Sequence, residues 1–299
     1  MSPQKEKYIN PLTDFGFKKL FGTEPNKILL IDFLNQILPD RKINDLTYAS
    51  TENQGQTELD RKAIFDLYCI GENGERFIVE MQKAKQNYFK DRSVFYASFP
   101  IQSQAKRNVW DYKLDPVYSI GILDFIFDDH KEEEELLHIV ELKNQRGEVF
   151  YDKLKFIYIE LPKFQKEEAD LKTHFDKWLY VFTHLSKLQN RPKKLQERVF
   201  KRLFEQAEIA KFTPKEKEAY EESLKYYRDI KNVVDTSREE GRVEGIEQGI
   251  EQEKRKVNEK QEQTIIKMYQ AKIAKIEIAS FLDILVSKVE EVIKKWEEK

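Results

Sequence analysis

A predicted β-hairpin constrains this chain more than any other feature, because it carries acidic side chains inside two otherwise apolar strands. The first strand, Ala63–Ile70, contains Asp66, and the second, Arg76–Lys83, contains Glu80 and Gln82. Residues two apart in a strand share a face, so Glu80 and Gln82 lie together. Burying a carboxylate costs free energy unless a partner compensates for the lost water. A divalent cation is one such partner, and carboxylate oxygens suit Mg²⁺.

The length of the hairpin loop decides whether the two carboxylates can meet. The strands are separated by the turn-forming sequence Gly-Glu-Asn-Gly. A two-residue Asn-Gly loop pairs Asp66 with Met81 and puts the acid on the wrong face. A three-residue loop that ends with Gly74 in the left-handed conformation pairs Asp66 with Glu80 instead. This combination of a type I turn with a glycine bulge is common, and we predict it here.

The other hydrophobic patterns in the first half of the chain indicate a mixture of helices and strands. Helices are predicted at Asp14–Phe21, from Glu24 onward and at Tyr88–Asp111. Further strands are predicted at Ile43–Ala49, Val117–Phe127, Leu136–Leu142 and Lys155–Leu161. Thr13 or Asp14 can cap the first helix, and Pro100 is expected to bend or interrupt the third. The nearly continuous apolar run Val117–Phe127 predicts a buried strand.

The order of acidic residues on the hairpin resembles a nuclease signature. Asp66 followed by Glu80-x-Gln82 is similar to the PD-(D/E)XK pattern, with Gln in place of the usual Lys. The flanking sequence is similar to the recombination-promoting nuclease (Rpn) group, or PD-(D/E)XK nuclease family transposases. The segments that carry this resemblance are Asp14–Phe21, Val79–Gln82, Arg92 with Phe95, Tyr96 and Gln104, Leu114–Tyr118, Leu123–Phe125 and Glu160–Phe164. It extends over nearly the whole chain.

The resemblance implies an α/β (α+β) fold with a restriction-endonuclease-like core, in which helices flank a central mixed sheet and a helical region follows. It implies a metal-dependent DNA endonuclease that acts in recombination or transposon-like mobility. Asp66 and Glu80 would ligate Mg²⁺ or Mn²⁺, which polarises the scissile phosphate and activates water. Gln82 would orient that water or hydrogen-bond the phosphate, but it lacks the ammonium of the usual Lys.

Further side chains are candidates for the same site, each with a structural alternative. Asp14 is either a third acid near the metal or the N-cap of its helix. Lys18 and Lys19 contact DNA phosphate or are solvated on a helix face. The tentative DNA-binding set is completed by Arg92, Tyr96 and Gln104. These three line the cleft or cover the sheet, and Arg92 and Tyr96 are spaced to meet on one helix face.

Composition divides the chain into four parts: residues 1–165 as the nuclease-like core, 166–237 as a helical extension, 238–262 as a charged segment and 263–299 as a small helical module. The charged segment repeats four-residue units such as Arg-Val-Glu-Gly, which predicts a solvated helix or a linker. A four-residue period drifts by about 40° per repeat on a helix, which weighs against a coiled-coil seam.

The C-terminal module is predicted to contain two helices, Ile276–Leu282 and Ser287–Trp296. The second is opened by Ser287 with Glu290 at capping-box spacing. The pair is similar to a helix-turn-helix-like module at this end of many relatives, although its turn lacks the expected Gly. DNA reading, dimerisation and simple capping remain alternatives for this module.

Cysteine, histidine and hydropathy limit the remaining classes of protein. The single cysteine, Cys69, excludes a disulfide scaffold and is typical of a reducing cytosol. The histidines, at 130, 138, 174 and 184, are dispersed and form no zinc pattern. No apolar run approaches the ~18 residues of a membrane span, and the N-terminus lacks a signal-peptide core. We therefore expect a cytoplasmic protein with no membrane partner.

The formal net charge is −2, so DNA affinity must come from locally placed basic side chains. Two functions compete with that of an endonuclease. One is a DNA-binding or transposon-accessory protein that keeps the nuclease fold but has lost cleavage. The other is an interaction protein built around the charged helix. A homodimer is compatible with each of the three functions.

Overall fold

The computed structural model describes residues 6–53, 63–105 and 111–298. The chain divides into two compact units, Met1–Asn232 and Val233–Lys299. The helices are α1 (Asp14–Phe21), α2 (Lys27–Ile37), α3 (Phe89–Gln102), α4 (His174–His184), α5 (Arg198–Ala207), α6 (Pro214–Gln270), α7 (Lys275–Leu282) and α8 (Val286–Glu297). The strands are β1 (Leu46–Tyr48), β2 (Glu52–Asn53), β3 (Ala63–Ile64), β4 (Leu67–Gly71), β5 (Arg76–Gln82), β6 (Val117–Leu123), β7 (Leu137–Lys143) and β8 (Val149–Glu160).

Six strands form one mixed sheet in the order β1-β4-β5-β6-β8-β7. β6 is parallel to both β5 and β8, and the other neighbouring pairs are antiparallel. All seven residues of β6 are buried, so the predicted buried strand is confirmed. It ends at Leu123 rather than Phe127, because Phe125 and Phe127 leave the sheet and pack with Phe89 of α3.

Helices cover both faces of the sheet, which confirms the predicted fold class. The larger core joins one face to α1, α2, α4 and α5 around Trp178, and Phe77 and Val79 of β5 belong to it. Ile78 points to the other face, where it packs beside Tyr96 and Phe99 of α3. Because side chains alternate along a strand, Glu80 lies on the α3 face.

The hairpin loop between β4 and β5 is the predicted three-residue loop. Gly71 N–H donates to the carbonyl of Glu75 at 2.8 Å, and Gly74 N–H donates to Gly71 at 3.1 Å. Gly74 has a φ of +88°, the left-handed value expected for the bulge. Leu67 is paired with Val79, so the next residues outward in this register are Asp66 and Glu80. The predicted loop and register are therefore confirmed up to Leu67 and Val79, which places Asp66 next to Glu80 just beyond the paired residues.

Several predicted elements have different bounds. The strand predicted over Ala63–Ile70 is broken at Phe65 and Asp66, because the Asp66 carboxylate accepts the hydrogen bond of the Met81 amide. The helix predicted over Tyr88–Asp111 is not interrupted at Pro100 but runs to Gln102. Pro100 lies in its last turn, where a missing N–H removes little helical hydrogen bonding. The rest of that prediction falls partly on residues 106–110, outside the described residues.

The second unit ends in the two short helices expected from the sequence, α7 and α8, which share an apolar cluster with the end of α6. The predicted capping box at Ser287 and Glu290 is wrong. The N-cap is Leu285, which makes no side-chain cap hydrogen bond. Asp283 follows α7 with a φ of 52° and so adopts the left-handed conformation for which Gly was expected.

Candidate active site

Asp66 lies in the break between β3 and β4. Its Oδ2 accepts a hydrogen bond of 2.7 Å from the backbone N–H of Met81. Burial is the largest influence on Asp66 and raises its pKa, the Met81 amide lowers it, and the charge of Asp14 raises it again. The positive charges of Lys18 and Lys83 lower the pKa of Asp66. The result is a pKa above the ordinary value for an aspartate.

Glu80, on the neighbouring strand, is a second buried carboxyl group. Burial raises the pKa of Glu80 to about 8, and the negative charge of Asp66 is the next cause. The charges of Arg92 and Lys18 lower the pKa without cancelling these effects. Glu80 Oε1 is buried and has no hydrogen-bond partner among the described residues. Glu80 therefore holds a proton near neutral pH and has an oxygen available for a ligand.

The Asp66–Glu80 pair fits a small divalent cation. Two acids with raised pKa values beside each other are stabilised by a positive charge between them. Carboxylate oxygens are the ligands that Mg²⁺ and Mn²⁺ prefer, and the unpartnered Oε1 of Glu80 is the kind of atom such an ion satisfies. The donor set therefore agrees with the metal predicted from the sequence.

The first turn of α1 lies beside the carboxylate pair. Thr13 is the N-cap, since its Oγ1 accepts a hydrogen bond of 3.0 Å from the N–H of Gly16. The alternative that Asp14 is the N-cap is therefore wrong. Asp14 is the first helical residue and pairs with Lys18 at 2.9 Å. Its charge raises the pKa of Asp66, so Asp14 adds a third acidic side chain to the electrostatics of the site.

Arg92 of α3 connects the site to Gln82. Its Nη2 donates to Gln82 Oε1 at 2.8 Å, and Gln82 Nε2 donates to the carbonyl of Ala84 at 3.2 Å. The guanidinium also lies 5.6 Å from the ring centroid of Tyr96, so the contact predicted from their spacing is confirmed. Both polar ends of Gln82 thus have partners within the protein, and Arg92 brings positive charge toward Glu80.

Lys83 is a member of the site that the sequence reasoning did not single out. Burial lowers the pKa of Lys83, while the charges of Asp14 and Asp66 raise it. Its Nζ lies 5.0 Å from the ring centroid of Tyr226 in α6. A signal was present in the sequence, because this lysine directly follows Gln82, which occupies the position of the usual lysine.

An open groove borders the site between α1 and the first turns of α6. Its volume is about 650 Å³. The lining includes Asp14 and Lys18 from α1 and Ser223 and Tyr226 from α6. The Tyr226 side chain is 61% exposed, so an aromatic surface is accessible beside the acidic residues. The helical extension therefore contributes a wall of the cleft and does not merely follow the core.

Two predicted DNA-contacting residues have other partners. The Lys19 ammonium forms an ion pair with Glu216 of α6. Gln104 is buried and hydrogen-bonds the N–H of Asp115 at 2.7 Å and its carbonyl at 3.3 Å. Asp115 pairs with Arg76 at the first residue of β5, the opposite end of that strand from Gln82. The structure does not bring Gln104 to the carboxylates, because it closes the loop before β6.

A second cluster of titratable groups surrounds Glu160 at the end of β8. Donor atoms of His130, His138 and Glu160 lie within 4.8 Å of one another, so the expectation that the histidines are dispersed is wrong for these two. Glu160 is fully buried and accepts hydrogen bonds from Phe127 N–H at 2.7 Å and Lys163 Nζ at 2.7 Å. Each histidine ring has a nitrogen 3.2 Å from a Glu160 oxygen.

These three side chains could hold a metal ion, but Lys163 already supplies the positive charge. Burial raises the pKa of Glu160, and Lys163, the Phe127 amide and His138 outweigh it, so the pKa lies below the ordinary value. A divalent cation here would lie beside the ammonium and be repelled. Glu160 and Lys163, both from the Glu160–Phe164 segment, therefore form a buried ion pair that joins β8 to neighbouring loops.

Replacing Lys163 by Met is expected to destabilise the protein by about 3–5 kcal/mol, because it leaves the Glu160 carboxylate buried without its charged partner. The free energy of unfolding in urea measures this loss. Lys131→Met is the matched control, since Lys131 pairs with Asp128 on the surface and its loss is worth under about 1 kcal/mol. Equal losses in the two variants would contradict a structural role for the buried pair.

A family model described as PD-(D/E)XK nuclease family transposase matches residues 11–237, which is more than half of the chain. This match confirms the resemblance found in the sequence. No curated protein and no solved structure gives a significant match. None of the helices in the described ranges combines the length and apolar character that a membrane span requires.

Proposed function

We propose, from the premise that this chain belongs to the PD-(D/E)XK nuclease family transposases, that it is a DNA endonuclease dependent on Mg²⁺ or Mn²⁺. We place its activity in DNA recombination or transposon-like mobility. The observation that carries the proposal is the buried Asp66 carboxyl beside that of Glu80, whose Oε1 has no hydrogen-bond partner among the described residues. A cytoplasmic location is also proposed, supported by the single buried Cys69.

Asp66 and Glu80 are assigned to hold the cation, with Asp14 in its surroundings. When bound, the ion supplies Lewis-acid stabilisation of the scissile phosphate and lowers the pKa of the attacking water. The protein prepares its own ligands for this role. The Met81 amide fixes the orientation of the Asp66 carboxylate, and Glu80 gives up its proton when a positive charge arrives.

Basic side chains around the carboxylates are assigned to the DNA backbone. Lys18 and Lys83 both lower the pKa of Asp66, and Arg92 lowers that of Glu80, so all three bring positive charge to the site. Phosphate contacts of this kind position nucleic acid without reading its sequence. Gln82 is assigned to hold Arg92 in place rather than to contact DNA, because its amide oxygen already accepts from that guanidinium.

Lys83→Met is expected to reduce the rate of DNA cleavage by about 10–100-fold, because the site loses the ammonium that Gln82 cannot provide. Lys83→Arg should retain part of the activity, since it keeps the charge but not the shape. Cleavage rates at saturating Mg²⁺ measure the effect. Lys85→Met is the control, because Lys85 pairs with Asp128 at an exposed position two residues away. If both Met variants cut equally fast, Lys83 has no part in the reaction.

A second candidate function is a DNA-binding or transposon-accessory protein that has lost cleavage. One observation favours it. Both polar ends of Gln82 already hydrogen-bond the protein, through Arg92 and the Ala84 carbonyl, so the amide is held for a structural role and has only one N–H and one lone pair left for water. In this case the carboxylate pair would still bind a cation and the basic side chains would still hold DNA, but no strand would be cut.

The two functions are separated by nicking of supercoiled plasmid DNA with the purified full chain. The endonuclease predicts conversion to nicked or linear DNA with Mg²⁺ or Mn²⁺ and no conversion after chelation of the metal. The accessory protein predicts salt-dependent DNA binding with no conversion under either condition. Absence of DNA binding at low salt would contradict both and favour a protein that interacts only with other proteins.

A further inference from the structure

The central part of α6 is not buried by any of the residues that the structure describes. Every residue from Asp235 to Lys260 is exposed, a stretch of about 39 Å at 1.5 Å per residue. Four large apolar side chains lie on this stretch with 42–56% of their surface exposed. They are Val243, Ile246, Ile250 and Val257. Isolated helices draw little stability from propensity alone, so these side chains indicate a surface that another helix covers.

The four apolar residues form one stripe. Their spacings of three, four and seven residues place them within an arc of about 60° at 100° per residue. These are the a and d positions of a heptad, with Val243, Ile250 and Val257 at a and Ile246 at d. The drift of about 40° per repeat, which weighs against a coiled-coil seam, therefore applies to the four-residue repeat but not to the apolar residues. The glycines and glutamates keep the period of four, but the apolar residues do not.

The charges on the same stretch are segregated along its length. Residues 238–253 contain six acidic and two basic side chains, whereas residues 254–260 contain four basic and one acidic. Two copies aligned in parallel would bring acidic half against acidic half and place Glu253, at a d position, against itself. An antiparallel alignment can bring the basic segment 254–260 of each copy against residues 243–249 of the other, which carry Glu244 and Glu247 and no basic side chain. The surface is therefore complementary to itself in one orientation.

We propose that α6 pairs with α6 of a second copy of this chain in an antiparallel coiled coil. In the alignment whose twofold axis passes between Glu251 and Gln252, Ile246 packs against the partner's Val257 and Ile250 beside the partner's Glu253. Glu247 then flanks the partner's Lys254 at adjoining e positions, an attractive pair that occurs twice by symmetry. The pairing uses only residues of the second unit and does not depend on nuclease activity.

The mass of the full chain in solution tests the pairing. Sedimentation equilibrium from about 1 µM to about 100 µM covers the affinity range of a short seam of this kind. Wild type is expected to reach the dimer mass, and Ile246→Lys/Ile250→Lys to remain at the monomer mass, a twofold loss. Gln248→Lys/Gln252→Lys adds the same charge on the opposite face of the helix and should stay dimeric. A wild-type monomer over this whole range, or a dimer that survives the stripe variant, overturns the proposal.

Disulfide cross-linking tests the orientation. Ile246→Cys and Val257→Cys chains, each oxidised alone, are expected to give little covalent dimer, whereas the mixture of the two should give it readily. The native Cys69 is buried and does not interfere. Parallel pairing predicts the reverse: each variant alone would give covalent dimer, because each cysteine would face the same cysteine of the other chain. That result would refute the antiparallel arrangement. Circular dichroism of every variant confirms that α6 remains helical.

Discussion

Asp66→Asn and Glu80→Gln are each expected to lower the rate of metal-dependent plasmid nicking by at least about 10²-fold. Loss of a residue that only supports a metal ligand costs 10–100-fold, so loss of a ligand itself costs at least that much. Both substitutions keep the shape of the side chain and remove only its ability to ionise and so to bind a cation. The rate of conversion of supercoiled to nicked DNA, at saturating Mg²⁺, measures the effect.

Asp152→Asn is the matched control for these two variants. It removes one carboxylate from the same sheet, but Asp152 is exposed on β8 and lies outside the site. It is expected to cut at the wild-type rate. Unchanged nicking by both Asp66→Asn and Glu80→Gln would rule out the assigned metal ligands, and any residual activity would have to come from another site.

Misfolding can be separated from loss of the ligand, because the two explanations predict opposite changes in stability. Glu80 is buried beside Asp66 with a pKa of about 8, so its ionised form destabilises the folded protein. Glu80→Gln removes that ionisation and should raise the melting temperature of the metal-free protein at pH 8, by about 3 °C or more. An inactive variant that is more stable than wild type has lost a ligand and not its fold.

The hairpin was predictable from sequence because its physics is local. Gly74 ends the turn between two apolar strands and favours a three-residue loop. That loop fixes the register of β4 against β5, which brings Asp66 next to Glu80. Buried strand β6 was equally readable from its unbroken apolar run. Family membership followed from the order of these segments along the chain, and the match over residues 11–237 confirms it.

What the sequence did not predict depends on contacts between distant segments. His130 and His138 converge only because Glu160, at the end of β8, is buried between them. Gln104 was predicted to line a cleft, but its amide hydrogen-bonds the backbone of Asp115, which lies in the loop before β6. Lys83 could not be assigned without α6, since Tyr226 comes from a helix far along the chain. No periodicity in a single segment carries such information.

The affinity for the cation is expected to rise steeply with pH. Glu80 has a pKa of about 8 in the folded protein, above the ordinary glutamate value, so it is mostly protonated at pH 6 and pH 7. A cation can bind only when that proton leaves. The affinity for Mg²⁺ or Mn²⁺ should therefore increase by about tenfold per pH unit below pH 8, or roughly 10²-fold from pH 6 to pH 8, and then level off.

Calorimetry with Mn²⁺ in buffers of different ionisation enthalpy measures both the affinity and the proton released. About one proton per ion is expected at pH 7 from Glu80, and more if Asp66, whose pKa is also raised, takes part. Glu80→Gln should bind weakly with little dependence on pH, because its amide has no proton to lose.

The second cluster provides the control, since histidine ligands also bind metal better as the pH rises. His138→Gln removes one of its three donors and should leave the whole curve of affinity against pH unchanged. If His138→Gln abolishes the pH dependence while Glu80→Gln keeps it, the cation is held at Glu160 and not at the Asp66–Glu80 pair.

The proton on Glu80 also affects the stability of the fold. Without metal, the folded chain holds it between about pH 4.5 and pH 8 and the unfolded chain does not, so stability should fall as the pH rises through that range.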